Sequence, residues 1–365
     1  MPGTPALTID LAGVWENFRA LRAALPQACI RYAVKANPAK PILRLLAAED
    51  SEFDIASVGE IDACAVAGVS GGAMTFGNTV KKASDVAYAY ARGVRRFTFD
   101  TDEGLSVIAG HAPDSGVECR IAPAFPPSVT PFGHKFGCTP DEAARLLNRA
   151  AQLGLRAEGL SFHVGSQQLD PTAWRLGIDC AASVFERLGF LATLNVGGGF
   201  PVSYTADVPG IDSIADTLNE SLTRNFGSAP PQLVIEPGRV IVGPAGTIHC
   251  EVVSVRTGTD HRRWVYLDIG RYGGLAETEN EYIRYRLRTA RDGDVRGDAV
   301  VAGPTCDGDD VLYQRYPLPL TLRAGDPVDI EAAGAYTASY AATSFNGFAP
   351  LTQQFVEATD AVPAG

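Results

Sequence analysis

Residues 32–38 are Tyr32-Ala33-Val34-Lys35-Ala36-Asn37-Pro38, in which a lysine directly follows a short apolar run and precedes a turn. The apolar run predicts a buried strand, and burial disfavours the charge of a lysine at the end of that strand. An amine that is held neutral can form a Schiff base with an aldehyde. A surface lysine at a strand end is the more common arrangement, so the neighbouring sequence has to decide between these two interpretations.

The segment around Lys35 begins an alternation of short apolar runs with longer amphipathic segments. The apolar runs predict eight strands, over residues 29–35, 53–56, 73–77, 96–99, 117–122, 159–163, 193–196 and 233–236. Helical patterns between them include residues 58–67, 81–92, 140–153, 172–188 and 211–225. Eight strands that alternate with helices favour an α/β fold with a (β/α)8 TIM-type barrel, and a doubly wound open sheet is the alternative.

Beyond about residue 240 the pattern changes to β-rich segments separated by Gly, Asp and Pro. Residues 247–256, 264–269, 299–302 and 327–332 predict a C-terminal antiparallel β-domain. Thr8–Asp10 is expected to add a strand to this domain, which makes the barrel an insertion. We therefore predict a barrel domain over residues 11–240 and a β-domain over residues 241–365 with 1–10, ending in a frayed tail over residues 357–365.

Composition limits the classes of partner. The 365 residues carry a net charge of -11, which opposes non-specific binding to nucleic acid or to anionic membranes, since both require basic patches. The seven cysteines are scattered without a CxxC pair, so neither a disulfide framework nor a metal site is predicted. Without a recognisable signal peptide or an apolar stretch long enough to span a bilayer, the sequence predicts a cytoplasmic protein.

Polar residues and a run of three glycines occur where the predicted barrel strands end. Barrel enzymes place their active sites at this face. These residues are Lys35, Asp54, Ser57, Asn78, Arg120, His163, Gly197–Gly199 and Glu236. Residues with a purely structural role would not be expected to gather in this way, so we predict an active site at this face.

Two motifs of the barrel suit a phosphorylated aromatic ligand. Gly197-Gly198-Gly199 can adopt positive φ and bring backbone N–H groups close to a phosphate, and Ser166 could add a hydroxyl donor. His163 is flat and suited to stacking on an aromatic ring. A plain glycine turn and a structural histidine are the alternative interpretations.

Two further motifs supply a carboxylate and a thiol. Glu236-Pro237-Gly238-Arg239 places a carboxylate after the eighth strand, where it could keep a pyridine nitrogen protonated and make the ring an electron sink. A surface ion pair between Glu236 and Arg239 is the alternative.

Cys306 lies among acids in residues 303–310, which favours a protonated thiol that can donate its proton. The alternative for Cys306 is a small buried side chain.

Taken together, these motifs resemble those of the fold-type III pyridoxal-phosphate decarboxylases, most closely of the ornithine/lysine decarboxylase branch. The matching stretches follow the order of the family and cover nearly the whole chain: YAVKANP at 32–38, FDIAS at 53–57, FGN at 76–78, FD at 99–100, KFG at 135–137, SFHVGS at 161–166, VGGGFP at 196–201, IEPGR at 235–239, GPTCDG at 303–308, and GAYT with FNGF at 334–337 and 345–348. The resemblance implies an alanine racemase-like fold and pyridoxal 5'-phosphate (PLP) as the cofactor.

The resemblance also implies roles for individual residues. Lys35 would hold the cofactor as a Schiff base, Glu236 would face the pyridine nitrogen, and His163 would stack on the ring. Asp54 and Arg120 would lie near Lys35 and the ring. The residues implied in phosphate binding, with Gly238 as a further member of the cofactor site, are Ser166, Gly197, Gly198, Gly199, Arg239 and Tyr336.

A homodimer with shared active sites is a further implication of the resemblance. Cys306 would protonate the substrate carbon after carbon dioxide leaves, and Asp307 would bind the distal amine of the substrate, both in the active site of the partner subunit. Tyr272, Asn280 and Glu281 are further candidates for substrate binding. Residues 273–281 depart from the branch, because the usual contact with the diamine is lost if Asn280 occupies the position of the family's acid.

The expected reaction is therefore PLP-dependent decarboxylation of a basic L-amino acid, ornithine or lysine, to the corresponding diamine. Glu236 opposes a racemase, because racemases of this barrel place a cation opposite the pyridine nitrogen. The alternatives among enzymes are a decarboxylase of an unusual amino acid and a diaminopimelate decarboxylase, which carries Cys-Glu in place of Cys306-Asp307. The alternative from another class is a catalytically inactive relative that binds a regulator, although such relatives usually lack cofactor residues that this chain retains.

Overall fold

A computed structural model describes residues 3–342 and 344–357 of the chain. Its contacts group these residues into two compact units. The first unit comprises residues 15–201 and 208–238, and the second comprises the described residues up to Val14, residues 202–207 and those from Arg239 onward. Apart from Glu357, the tail that the sequence predicts to fray lies outside the described residues.

The described strands and helices are numbered in chain order. The strands are β1 (Ala6–Asp10), β2 (Cys29–Ala33), β3 (Glu52–Ile55), β4 (Met74–Phe76), β5 (Arg96–Phe99), β6 (Gly116–Arg120), β7 (Arg156–Ser161), β8 (Thr193–Asn195), β9 (Gln232–Ile235), β10 (Gly246–Thr257), β11 (Arg263–Leu267), β12 (Leu287–Thr289), β13 (Arg296–Ala302), β14 (Val311–Pro319), β15 (Pro327–Ile330) and β16 (Thr352–Val356). The helices are α1 (Leu11–Ala24), α2 (Lys40–Ala48), α3 (Val58–Ala67), α4 (Ala83–Ala91), α5 (Asp102–His111), α6 (Pro140–Gln152), α7 (Thr172–Leu188), α8 (Ile211–Phe226) and α9 (Arg239–Val242).

The first unit is a closed barrel formed by the eight parallel strands β2 to β9. The predicted barrel is confirmed, and the doubly wound open sheet is wrong. The register aligns Tyr32 with Phe53 and Phe53 with Met74, and all three side chains are buried. Strands that are buried on both faces appear in a sequence as short apolar runs, which is why all eight could be located.

Polar side chains cap the first turns of two barrel helices. Ser57 caps α3 directly after β3, because its hydroxyl accepts a hydrogen bond from the backbone N–H of Glu60. Thr139 caps α6 in the same way, and Pro140 occupies the first turn of that helix, where its missing N–H has no consequence. Of the polar residues predicted at the strand ends, Ser57 therefore has a structural role as a helix cap.

Two candidate site residues lie beyond the strands that the sequence assigned to them. β2 ends at Ala33, so Lys35 lies in the single 3-10 turn Val34–Ala36. β7 ends at Ser161, and His163 follows two residues later. The five predicted helical patterns are confirmed. The structure adds α1, α2 and α5, and also the single-turn helix α9.

The second unit is a mixed β-sheet with the strand order β12-β15-β10-β11-β13-β14, and β1 pairs with both β10 and β16. The predicted strand at Thr8–Asp10 is confirmed as part of β1, which runs antiparallel to β10. The expectation of a purely antiparallel domain is wrong, because β1 is parallel to β16 and β11 is parallel to β13. Side chains alternate in the same way in both kinds of pairing, so the sequence pattern does not reveal strand direction.

Within the described part of the chain, no helix combines the length and the apolar character needed to cross a membrane.

Candidate active site

Lys35 and Asp54 form an ion pair where the barrel strands end. Nζ of Lys35 donates to Oδ2 of Asp54 at 2.6 Å, and the Asp54 side chain is 4% exposed. Gly77, just after β4, leaves the space that Asp54 occupies, because a Cβ at this glycine would lie 2.0 Å from Oδ1 of Asp54. The packing of the barrel therefore places the carboxylate against the amine.

The accessibility of Lys35 differs from the sequence-based expectation. Its side chain is 40% exposed, so the expected burial at a strand end is wrong. The 3-10 turn carries the amine beyond the strand to the solvent-facing end of the barrel. Gly238 packs against this turn, since a Cβ at residue 238 would lie 2.8 Å from Cβ of Ala36. The partly exposed side chain of Lys35 is accessible to an incoming carbonyl group.

Glu236 lies just after β9 in a desolvated environment. Its Oε1 accepts a hydrogen bond from Nδ2 of Asn195 at 2.6 Å, so the alternative of a surface pair with Arg239 is wrong. Burial raises the pKa of Glu236 to about 7, and the Asp54 carboxylate contributes to the rise, whereas Lys35 and Asn195 oppose it. A cationic ring nitrogen placed against this carboxyl group would favour its ionised form.

The Glu236→Gln substitution is expected to change how the stability of the cofactor-free protein depends on pH. In the folded protein the pKa of Glu236 lies near 7 rather than at its ordinary 4.5. Between pH 4.5 and pH 7 the folded state therefore holds a proton on Glu236 that the unfolded state has released. This proton favours folding at low pH, and its contribution is lost as the pH rises through 7. Between pH 5 and pH 8 the native protein should lose about 1–3 kcal/mol more unfolding free energy than Glu236→Gln.

Urea unfolding at several pH values measures this difference. Glu220→Gln, at an exposed position of α8, is the matched control and should follow the native protein. An identical pH dependence in the native protein and in Glu236→Gln would contradict the expectation.

His163 is a neutral ring beside two cations. Burial lowers the pKa of His163 well below its ordinary value, and the charges of Arg120 and Lys35 lower it further. Its Nδ1 accepts a hydrogen bond from the N–H of Gly165 at 3.1 Å, so Nε2 carries the proton of the neutral ring. The Phe132 ring lies 4.6 Å away, and a cavity of about 360 Å³ adjoins both rings. A flat neutral imidazole at the edge of a cavity can stack on an aromatic ligand.

The glycine loop follows β8, and Ser166 follows β7. Gly197 and Gly199 have φ values of 69° and 95°. A Cβ at Gly197 would lie 2.4 Å from the carbonyl oxygen of Phe162, so packing within the barrel already requires glycine at this position. Two backbone hydrogen bonds join Ser166 to Thr130, at 3.0 and 3.1 Å. Phosphate binding by this loop and by Ser166 stays a prediction.

In the second unit, Arg239 lies among three polar or aromatic side chains. Its Nη2 and Nη1 donate to the carboxylate of Glu277 at 2.5 and 2.9 Å, and Nη1 donates to the hydroxyl of Tyr204 at 2.8 Å. The guanidinium carbon lies 4.8 Å from the centroid of the Tyr336 ring. The structure thus brings the two predicted phosphate ligands of this unit together, and it adds Glu277 and Tyr204, which the sequence analysis missed.

The same unit brings Cys306, Asp307 and Tyr272 together. Cys306 is exposed, so the alternative of a small buried side chain is wrong. Its backbone N–H and its Sγ both donate to Oδ1 of Asn346, at 3.1 and 3.3 Å. Desolvation and the nearby Asp307 carboxylate raise the pKa of the Tyr272 phenol, and the Tyr272 ring lies 4.8 Å from the ring of Phe345. Since a thiol that donates a hydrogen bond carries its proton, this geometry suits Cys306 as a proton donor.

The remaining two substrate-binding candidates differ in charge. Glu281 forms an ion pair with Arg284 and accepts a hydrogen bond from the N–H of Gln314 at 2.8 Å. Asn280 is exposed, with a φ of 51°. Glu281 is therefore already neutralised by an arginine, and Asn280 has no charge to offer to an amine.

A buried polar network beside Glu236 was missed by the sequence analysis. Nη1 of Arg31 donates to Oε1 of Glu118 at 2.7 Å, and Nδ2 of Asn195 donates to Oε2 of Glu118 at 3.2 Å. All three residues are buried, with 2%, 1% and 0% of their surfaces exposed. The available signal was a charged residue inside an apolar strand, as at Arg31 between Ile30 and Tyr32. Such a residue requires a buried partner.

Residues 11–243 match the family described as pyridoxal-dependent decarboxylase, pyridoxal binding domain. The chain belongs to this family. The lysine/ornithine decarboxylase of Selenomonas ruminantium is 36% identical to this decarboxylase over 351 residues, which cover 94% of this chain and 88% of the relative. The decarboxylase is thus a PLP-dependent carboxy-lyase of the ornithine/lysine branch, and PLP is its cofactor.

Solved structures agree with this assignment over nearly the full length of the chain. SrLDC, the lysine decarboxylase of Selenomonas ruminantium, in complex with PLP and cadaverine has a TM-score of 0.88 at 36% identity, covering 97% of this chain and 91% of that one. The arginine decarboxylase of Paramecium bursaria Chlorella virus has a TM-score of 0.89 at 28% identity and covers 97% of both chains. The alanine racemase-like arrangement predicted from the sequence is confirmed.

The residues present in the barrel fit PLP. A partly exposed amine at Lys35 is available to an aldehyde. Within the described part of the chain, the half-buried carboxyl group of Glu236 accepts a hydrogen bond only from the neutral amide of Asn195, and a pyridinium would provide a cationic partner. The neutral His163 ring borders the adjoining cavity and can cover an aromatic face. Among the described residues, no group of three or more His, Cys, Asp or Glu side chains is arranged to hold a metal ion.

Proposed function

We propose that this decarboxylase converts L-ornithine or L-lysine to the corresponding diamine and carbon dioxide. The observation that carries the proposal is the position of Asp307, a carboxylate beside the exposed thiol of Cys306 and close to the phenol of Tyr272. A carboxylate next to a proton donor suits a substrate with a second amine. The Selenomonas ruminantium relative is named a lysine/ornithine decarboxylase, and the viral neighbour is an arginine decarboxylase, so basic amino acids recur among the relatives.

The barrel residues would prepare the substrate for loss of its carboxylate. Bound PLP supplies a sink for the electrons of the bond that breaks. Lys35 would bind the cofactor through Nζ and give way to the α-amine of the substrate, while Asp54, 2.6 Å away, orients Nζ and keeps a proton nearby. Glu236 would hold the proton of the ring nitrogen, and His163 would cover one face of the ring and exclude water from it.

Phosphate binding is proposed for Arg239, Tyr336, Ser166 and the Gly197–Gly199 loop. Arg239 has its guanidinium oriented by the two oxygens of Glu277 and lies against the ring of Tyr336. A preoriented arginine binds phosphate with less loss of side-chain freedom. Ser166 and the Gly197–Gly199 loop would supply donors from the barrel.

We propose that two chains share their active sites. The β-domain, residues 241–365 with 1–10, would present Cys306 and Asp307 to the barrel, residues 11–240, of a second copy. Cys306 would return a proton to the α-carbon after carbon dioxide leaves, and Asp307 would bind the distal amine. The exposure of Cys306 on its own chain supports this role, because the thiol is open to a partner.

Mixing two variants that are each strongly impaired should therefore restore activity. A heterodimer of Lys35→Ala and Cys306→Ala chains contains one site with both native residues, so the purified heterodimer should have about half of native activity if each site works independently. Differently tagged chains, purified through both tags, give the heterodimer for assay. Failure to recover activity in a demonstrated heterodimer would argue against shared sites.

A decarboxylase of an unusual amino acid is the second candidate. It is favoured by the pairing of Glu281 with Arg284 and by the neutral Asn280, because neither residue offers an uncompensated negative charge to a distal amine. A substrate whose far end is less basic than that of ornithine or lysine would suit such a segment.

A panel of amino acids distinguishes these candidates. The purified holoenzyme is incubated with ornithine, lysine, arginine and diaminopimelate, and products are identified by mass, with Lys35→Ala as the inactive control. Formation of putrescine or cadaverine supports the proposal. Turnover of diaminopimelate alone would assign the enzyme to the diaminopimelate decarboxylases, and no product from any of the four would favour the unusual amino acid.

We also propose that the enzyme works in the cytoplasm. All seven cysteines are free thiols, and the sulfur atoms of Cys119 and Cys138 lie 3.7 Å apart without forming a disulfide. Free thiols of this kind fit a reducing compartment.

A further inference from the structure

Asn195, the last residue of β8, is fully buried and uses both ends of its side-chain amide. Its Oδ1 accepts a hydrogen bond from the backbone N–H of Gly197 at 3.0 Å. A backbone N–H can only donate, so this contact identifies the oxygen and directs Nδ2 to the opposite side. Nδ2 donates to Oε1 of Glu236 at 2.6 Å and to Oε2 of Glu118 at 3.2 Å.

Glu118 is itself held in place by Arg31. Their ion pair is 2.7 Å long, and each of the two side chains is 2% exposed. A buried arginine–carboxylate pair fixes the geometry of both groups, so Asn195 donates to an acid whose position is set. Asn195 thus connects this ion pair with the carboxyl group of Glu236 and with the first glycine of the loop.

We propose that Asn195 is a positioning residue that directs the Glu236 carboxylate towards the pyridine nitrogen of PLP and at the same time sets the first residue of the glycine loop. The inference rests on the proposed cofactor roles of Glu236 and the loop, but not on the identity of the substrate. With Oε1 engaged by Asn195, Glu236 has Oε2 left for the ring nitrogen. Without the amide, two carboxylates would face each other with no donor between them, and Glu236 would turn away.

Two substitutions separate the two contacts of Asn195. Asn195→Asp keeps the shape of the side chain and an oxygen for the N–H of Gly197, but it replaces the donor by an oxygen that faces two carboxylates. Asn195→Ala removes both contacts. We expect both variants to weaken PLP binding by about tenfold or more, and to lower kcat while KM changes by less than about threefold. If Asn195→Ala fails to fold, the isosteric Asn195→Asp decides.

A double-mutant cycle shows whether Asn195 acts through Glu236. In a Glu236→Ala background, Asn195→Asp should change the dissociation constant of PLP by less than about twofold, because no carboxylate remains to be oriented. A role confined to general stability would give the same loss in both backgrounds. The matched control is Ser221→Ala, which removes another buried polar group, one that donates to the carbonyl of Thr217 at 2.7 Å, and should leave PLP binding unchanged.

PLP binding is measured by titrating the apoprotein and following the visible absorption of the bound cofactor, with circular dichroism to confirm folding. Native affinity and absorption in Asn195→Asp would overturn the proposal, and so would equal losses in the two backgrounds. Neither measurement needs a substrate. If the native enzyme acted on neither ornithine nor lysine, the proposed function would fail while the binding comparison still decided the role of Asn195.

Discussion

Replacing Lys35 by arginine should abolish steady turnover and leave the protein folded. Arginine keeps a cation for the Asp54 carboxylate, which is only 4% exposed, but its guanidinium stays protonated and cannot form a Schiff base with PLP. We expect activity to fall by about three orders of magnitude or more. Lys35→Ala should lose the same activity and in addition about 1–3 kcal/mol of stability, because it removes the partner of a buried carboxylate.

Borohydride reduction of the native holoenzyme tests the same linkage directly. Reduction makes a Schiff base permanent, so peptide mass spectrometry should find a pyridoxyl adduct on Lys35. Lys82→Arg, at an exposed position just before α4, is the matched control and should keep both activity and the adduct. An adduct on another lysine, or sustained turnover in Lys35→Arg, would remove Lys35 from the mechanism.

Replacing Cys306 by alanine should preserve PLP binding and alter the product. Its Sγ donates to Asn346 and therefore carries a proton, which we propose is delivered to the substrate α-carbon. Without this donor, turnover should fall by about a hundredfold. Protonation should then shift to the cofactor carbon, so that hydrolysis releases an aldehyde and leaves the amino group behind as pyridoxamine phosphate.

Mass spectrometry of the products and absorption spectra of the enzyme during turnover measure both effects. Cys180→Ala in α7, where the thiol is partly exposed, is the matched control and should behave like the native enzyme. Unchanged rate and unchanged product in Cys306→Ala would show that another group supplies the proton.

The barrel was predictable from local sequence because its strands are short and buried on both faces. Residues 233–236, for example, begin as an apolar run after an amphipathic segment, and the structure has β9 at Gln232–Ile235. The directions of β11 and β13 were not predictable, because the pairing partner of a strand is chosen over long sequence separations.

The candidate site was predictable to the extent that it consists of motifs. The stretches around Lys35, Glu236 and Cys306 contain chemically informative residues next to turns, so their types and order pointed to a PLP decarboxylase. The exposure of Lys35 was not predictable, because it depends on where β2 ends and on the 3-10 turn that follows. The pairing of Arg239 with Glu277, 38 residues apart, also lay outside any local pattern.

The amino-acid order of this protein was sufficient to indicate its cofactor chemistry and its barrel, since both depend on residue types and spacings that neighbours along the chain express. Folding in three dimensions was needed to show which polar groups meet inside the barrel. Asn195 lies 77 residues from Glu118 and 41 from Glu236, and it reaches both because the barrel brings β6, β8 and the end of β9 around one interior. Contacts of this kind depend on barrel closure and strand register, which no single segment of the chain encodes.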